Sequence, residues 1–199
     1  MKKTILLLTL FFAFTSCNET TVWKPQLIAY YAGDEKSIDT FDLNGVDQII
    51  YSFLHLKGNE LAIDNKADSL TLVNLINQKK KYPDLKVLVS LGGWGGCESC
   101  SEVFSTKQGR IDFAISTAKI INTFDADGID LEWEYPAISG YPDHKYQKED
   151  RENFTDLVIQ LRKYMKQGDI LSFAAGASTR FFVGCCFGLD KNIKARPIL

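Results

Sequence analysis

At 199 residues, with 45% hydrophobic and 24% charged residues, the chain is long enough for one domain with a sizeable core and too ordinary in composition for a disordered or fibrous protein. The formal net charge is -2, and the one run of three basic residues, Lys79-Lys80-Lys81, is expected to end a helix facing solvent, so no nucleic-acid partner is implied.

The chain opens on Lys2 and Lys3, followed by an apolar run from Ile5 to Phe14 that is too short for a stable membrane anchor. Thr15 and Ser16 then precede Cys17. This pattern resembles a bacterial lipoprotein signal over residues 1–17, cleaved before Cys17, whose thiol would carry the lipid anchor. The expectation is an envelope protein, held at the outer membrane or cell surface; an ordinary secretory signal and a secreted protein are the alternative. Disulfides are possible in either compartment. Cys97 and Cys100 form a CxxC, read as a local disulfide or two free thiols in a loop. A zinc site needs more ligands, and His55 and His144 are isolated. Cys185-Cys186 is a doublet without obvious partners.

From Gln26 the sequence alternates between strand-like and helix-like segments. "LIAYYAG", "VDQIIYSFLHL", "LKVLVSLGG", "DGIDLEWEYP" and "ILSFAAGAS" read as five strands, rich in β-branched and aromatic residues and mostly continuous, as in strands buried on both faces of a parallel sheet. Three apolar stripes predict intervening helices: Leu70, Val73 and Ile76; then Ile111, Ala114, Ile115, Ala118 and Ile121; then Phe154, Leu157, Val158 and Leu161. Ser105-Thr106-Lys107-Gln108 has the spacing of a capping box at the start of the second. Repeated strand-helix units predict an α/β fold with a parallel sheet, either a closed eight-unit barrel or an open doubly wound sheet. No phosphate-binding glycine pattern follows the first strand, and Gly92-Gly93-Trp94-Gly95-Gly96 reads as a loop ending the third.

The fourth strand carries the chemistry. Side chains alternate along a strand, so Asp130, Glu132 and Glu134 share one face, while Ile129, Leu131 and Trp133 take the other; Asp127 has that opposite parity too. Burying several carboxylates is costly unless they share protons or hydrogen bonds, and acids placed together raise one another's pKa. One then stays protonated near neutral pH, as a general acid must.

Asp127-Gly-Ile-Asp130-Leu-Glu132-Trp-Glu134, followed by Tyr135-Pro136, resembles the DxxDxDxE signature of family 18 glycoside hydrolases, the chitinases and their relatives. Upstream, Ser90-Leu91-Gly92-Gly93 resembles the family's SxGG motif, and "AYY" at Ala29 to Tyr31 and "YSF" at Tyr51 to Phe53 look like its first two strands. The resemblance runs from about Gln26 to Phe181 and implies a (β/α)8 TIM-type barrel with its site at the strand C-termini. It implies Glu134 as general acid, Glu132 as the group that orients the substrate's acetamido and stabilises the oxazolinium, and Asp130 as support for Glu132. It also implies substrate contacts from Tyr30, Phe53, Ser90, Trp94 and Tyr135. The reaction implied is retaining, substrate-assisted hydrolysis of β-1,4 links in N-acetylglucosamine glycans, chitin or chitooligosaccharides, with no metal or cofactor.

Two departures from the family pattern stand out. The family has Asp where this chain has Glu132, one methylene longer, which is expected to lower activity without abolishing binding. Only about five β/α units are visible, so residues 18–182 are expected to be a C-terminally truncated barrel that lacks a tyrosine on the sixth parallel strand. Residues 183–199, "VGCCFGLDKNIKARPIL", show neither helical nor strand periodicity and read as an aberrant tail. A non-catalytic chitin-binding protein and an inactive gene remnant are therefore the competing readings.

Overall fold

A computed structural model of the protein describes residues 25–175. The signal reading, with Cys17, the Cys185-Cys186 doublet and the tail from residue 183 lie outside these residues.

The backbone runs β1 (Ile28–Tyr31), a 3-10 turn (Ser37–Thr40), β2 (Gln48–Lys57), β3 (Glu60–Ala62), α1 (Lys66–Gln78), β4 (Lys86–Gly92), α2 (Cys100–Phe104), α3 (Lys107–Phe124), β5 (Gly128–Glu132), α4 (Asp150–Tyr164) and β6 (Ile170–Phe173). The five expected strands are present as β1, β2, β4, β5 and β6. A sixth, β3, was not anticipated; it folds back antiparallel on β2, with Lys57 opposite Glu60 across the two-residue Gly58-Asn59 turn. That Gly-Asn pair is a recognisable hairpin signal.

The other five strands are parallel, and their order across the sheet, β1-β2-β4-β5-β6, is their order in the chain. A doubly wound sheet reverses direction at a switch point. Here each new parallel strand adds to the same side, which is the winding of a (β/α)8 barrel, and five parallel strands of that fold are described.

Residue parity separates two environments. Val87, Val89 and Leu91 of β4, with Ile129, Leu131 and Trp133 in and after β5, join the helices in one apolar core. Ile50 and Leu88, of opposite parity, are buried but belong to the barrel side rather than to that core. α4 presents Phe154, Leu157, Val158 and Leu161, as its stripe predicts.

The other two stripes are met in part. In α1 the buried residues are Thr71, Leu72 and Leu75, whereas Leu70 and Val73 are exposed. Apolar residues at 70, 72, 73, 75 and 76 span more than one helix face. A polar contact fixes the rotation: Tyr51 Oη donates to Asp68 Oδ1 at 2.9 Å, so the Asp68 side of the helix meets the sheet. In α3, Phe113, Ala114, Thr117, Ala118 and Ile121 are buried while Ile115 is exposed. That helix is capped by Thr106, whose Oγ1 accepts from Gly109 N, and not by Ser105, whose hydroxyl is turned back to the Glu102 carbonyl.

The start of β5 is fastened at the opposite end from the acids. Asp127 accepts from Val87 N at 2.9 Å and pairs with Lys79 at 2.9 Å and Lys86 at 3.3 Å. Lys79 is thus tied to the strand layer rather than facing solvent, and Asp127, first acid of the motif, is a structural clamp.

Candidate active site

Asp130 lies at the bottom of the site. In the parallel register it sits between Ser90 of β4 and Ser172 of β6, so the three side chains form one layer across neighbouring strands. Ser172 Oγ donates to Asp130 Oδ1 at 2.6 Å, Ser90 Oγ approaches Oδ2 at 3.4 Å, and Tyr30 Oη, reaching across from β1, donates to Oδ2 at 3.1 Å. The carboxyl is 1% exposed, and these hydroxyls stand in for the water it has lost. Ser172 was not among the expected site residues. Its signal in the sequence is a lone hydroxyl in the apolar run "ILSFAA".

Glu132 ends β5 one layer higher. Its Oε1 accepts from Tyr30 Oη at 2.6 Å, and its carboxyl hydrogen-bonds both Asp130 and Glu134. Burial is the main cause that pushes its pKa from 4.5 up to about 8; the Tyr30 bond opposes this, and the nearby Asp130 charge and the bonds to the other two acids add to it. These surroundings favour the protonated form of Glu132 well above the usual carboxylate range. Tyr30 is held neutral well above its ordinary range, by burial first and then by its bond to Glu132. Glu134 follows the end of the strand and is only half-buried, so the row of acids rises from a closed floor toward solvent.

The SxGG segment shapes the adjoining wall. Gly92 and Gly93 both have positive φ, of 96° and 78°. A Cβ on Gly92 would lie 2.6 Å from the Glu132 carbonyl oxygen, and one on Gly93 would lie 2.6 Å from the Phe53 ring. Gly93 N donates to that same Glu132 carbonyl at 3.1 Å. The pair of glycines lets β4 close tightly on the strand that carries the acids and seats Phe53 beside them. Trp94, next in sequence, is 60% exposed, with its ring centroid 6.4 Å from that of Tyr135 and 5.6 Å from that of Tyr141. Trp133, by contrast, is buried against Phe104 and Phe154 on the helix side.

The structure thus brings Asp130, Glu132, Glu134, Tyr30 and Ser90 into one bonded cluster, with Phe53, Trp94 and Tyr135 along its wall. Cys97 and Cys100 are joined as a disulfide in the loop after Trp94, with Cys97 packed against Gly92. Among the described residues no group of three or more metal-binding side chains is gathered.

The family model described as glycosyl hydrolases family 18 matches residues 26–187. The chain belongs to glycosyl hydrolase family 18. It is 30% identical to mouse chitotriosidase-1 over 158 residues, which cover 75% of this chain and 33% of that protein. It is 32% identical to chitinase A1 of Niallia circulans over 117 residues, or 55% of this chain and 17% of that one. Among solved structures it resembles the chitinase domain of the spore coat protein CotE from Clostridium difficile, with a TM-score of 0.72 and 28% identity over 89% of this chain and 48% of that domain. The chain therefore spans about half the length of that family 18 domain, and a third or less of the two curated relatives.

Proposed function

We propose that the protein hydrolyses β-1,4 linkages in chitin or chitooligosaccharides with retention of anomeric configuration. The observation that carries this reading is the Asp130–Glu132–Glu134 row rising from a closed floor toward solvent, in a family whose similar members are named chitinases. An Ostrinia furnacalis group IV chitinase of 25% identity was solved with allosamidin.

The steps follow from the positions of the acids. Glu134, nearest solvent, gives its proton to the glycosidic oxygen as that bond breaks. The acetamido oxygen of the sugar on the non-reducing side attacks the anomeric carbon and forms a cyclic oxazolinium, in place of an enzyme nucleophile. Glu132 faces the acetamido group and balances the positive charge on the ring. Its proton passes along the hydrogen bond to Asp130, whose hydroxyl partners Tyr30, Ser90 and Ser172 hold the pair in place. Glu134, now a carboxylate, takes a proton from water as it opens the oxazolinium, Asp130 gives its proton back to Glu132 as the positive charge is lost, and the starting state returns. With Cys17 lipidated, the domain would act at the cell surface on polymer that cannot enter the cell.

The test is hydrolysis of an aryl N,N'-diacetylchitobioside by the protein and by Glu134→Gln. Release of the aryl group that disappears in the variant, with oligosaccharide binding retained, is the expected result. Binding without turnover in the wild type would overturn the catalytic reading and favour a chitin-binding protein.

A further inference from the structure

Glu134 lies two residues past the end of β5, so no ladder of sheet hydrogen bonds holds it. A proton donor displaced by about 1 Å can lose on the order of 100-fold in rate. Some other part of the chain has to fix its backbone.

Asp150, the first residue of α4, is fully buried and has no part in the acid row. A buried carboxyl needs donors in place of water, and the positive end of a helix favours an acid there. Its donors come from other segments. Ser101 Oγ of α2 lies 2.9 Å from both carboxyl oxygens, Gln147 N donates to Oδ2 at 2.8 Å, and Ala137 N approaches the same oxygen at 3.5 Å. Gln147 Nε2 also donates to the Ser101 carbonyl at 3.0 Å, so α2 meets the segment joining β5 to α4 at two points. An acid that only capped its own helix would accept from the N–H groups of the next turn. This one reaches residues 49 and 13 positions away.

Both ends of this tie lead to Glu134. On one side, Ala137 follows Glu134 by three residues and has a left-handed φ of 65°, which a residue with a side chain keeps only where its surroundings impose it. Gly140 then brings the segment back onto the same backbone: a Cβ there would lie 2.8 Å from Tyr135 N and closer still to the Glu134 carbonyl. On the other side, α2 begins at Cys100, bonded to Cys97 in the loop after Trp94. Phe104 of α2 packs against Trp133, the residue before Glu134, with ring centroids 5.3 Å apart.

We propose that Asp150 is a positioning residue for Glu134: by fastening the β5–α4 segment to α2, it fixes the backbone that carries the proton donor. This deepens the proposed hydrolase function and rests on the reading of Glu134 as general acid.

The experiment uses two aryl N,N'-diacetylchitobiosides that differ in their need for a proton. Phenol is a poor leaving group unless Glu134 protonates it, whereas 2,4-dinitrophenol departs as a stable anion. Each is followed by kcat/KM, which counts only the steps up to departure of the aryl group. Asp150→Asn turns one acceptor oxygen into a donor that opposes Ser101 or Gln147. It is expected to lower kcat/KM on the phenyl substrate by about 10- to 100-fold and on the dinitrophenyl substrate by less than about threefold. Glu134→Gln should show the same selectivity in larger measure, and Ser101→Ala, which removes one hydroxyl from the tie, in smaller measure. Loss of folded protein lowers both substrates by one factor and does not produce this pattern. If Asp150→Asn does not fold, the ratio in Ser101→Ala decides. Equal losses on the two substrates, or none on either, would overturn the inference while leaving the hydrolase reading intact. A wild type that hydrolyses neither substrate would overturn both.

Discussion

Replacing Glu132 with Asp tests the link between the geometry of the acid row and its rate. The change removes one C–C bond, about 1.5 Å of reach. Glu132 Oε1 now lies 2.6 Å from Tyr30 Oη, so an unadjusted Asp carboxyl would stand about 4 Å away, beyond hydrogen-bonding distance. The stability cost is about 1 kcal/mol, the usual net value of one hydrogen bond, and Tyr30 keeps its bond to Asp130 at 3.1 Å. For a chain of this size that lowers Tm by about 2–4 °C. The rate should move the other way. The extra methylene carries the Glu132 carboxyl about 1.5 Å beyond the reach of an Asp, and a misplacement of about 1 Å costs on the order of 100-fold. Glu132→Asp is therefore expected to raise kcat on an aryl chitobioside by about 10- to 100-fold, with KM changed far less. A folded Glu132→Asp protein whose kcat is unchanged or lower would refute the reasoning.

Glu134→Gln should lower turnover by about 10²–10⁴-fold, the usual contribution of a general acid, and leave oligosaccharide affinity within a few-fold of wild type; comparable losses in both would refute its role as proton donor. Glu132 also makes stability depend on pH. The folded state keeps its proton up to about 8 whereas the unfolded carboxyl loses it near 4.5, so the stabilisation is fully present below 4.5 and is lost as pH rises to about 8. Urea melts between pH 5 and pH 8 should show that decline, and Glu132→Gln should flatten it; the same slope in both proteins would refute the assignment. Asp127→Asn, far from the acids, should cost about 1–2 kcal/mol through its lost pairs with Lys79 and Lys86 and its weakened bond to Val87 N. Its KM on the same substrate should not move, and a changed KM would show that the clamp reaches the site. Cys17→Ser should shift the protein from the membrane to the soluble fraction; membrane retention would refute the anchor.

The shared face of the acids was legible because strand parity is an all-or-none rule: once "DGIDLEWE" is a strand, Asp130 and Glu132 must face away from Leu131 and Trp133. Helix faces were less legible. In α1 five apolar residues lie within seven positions, and the choice among faces was made by Tyr51 and Asp68, two polar residues 17 apart in sequence. Ser172 was missed because its role comes from register: it lies beside Asp130 only after the chain has passed through α4. The tie through Asp150 was invisible for a similar reason. It joins Ser101 to a residue 49 positions later, and Asp150 reads in sequence as one more acid near a helix start. The DxxDxDxE resemblance pointed to the family, but periodicity alone left barrel and open sheet equal until the strand order was known.

The sequential strand order has a consequence for synthesis. As each parallel strand leaves the ribosome, its partner has already been made. Asp130 then meets Ser90 as soon as β5 docks on β4, but Ser172 lies 42 residues further on. At about 5–20 residues per second the delay is about 2–8 s. Through that interval Asp130 stands on the growing edge of the sheet, where water can still solvate its charge. Its enclosure waits for β6, the strand that carries the hydroxyl to replace that water.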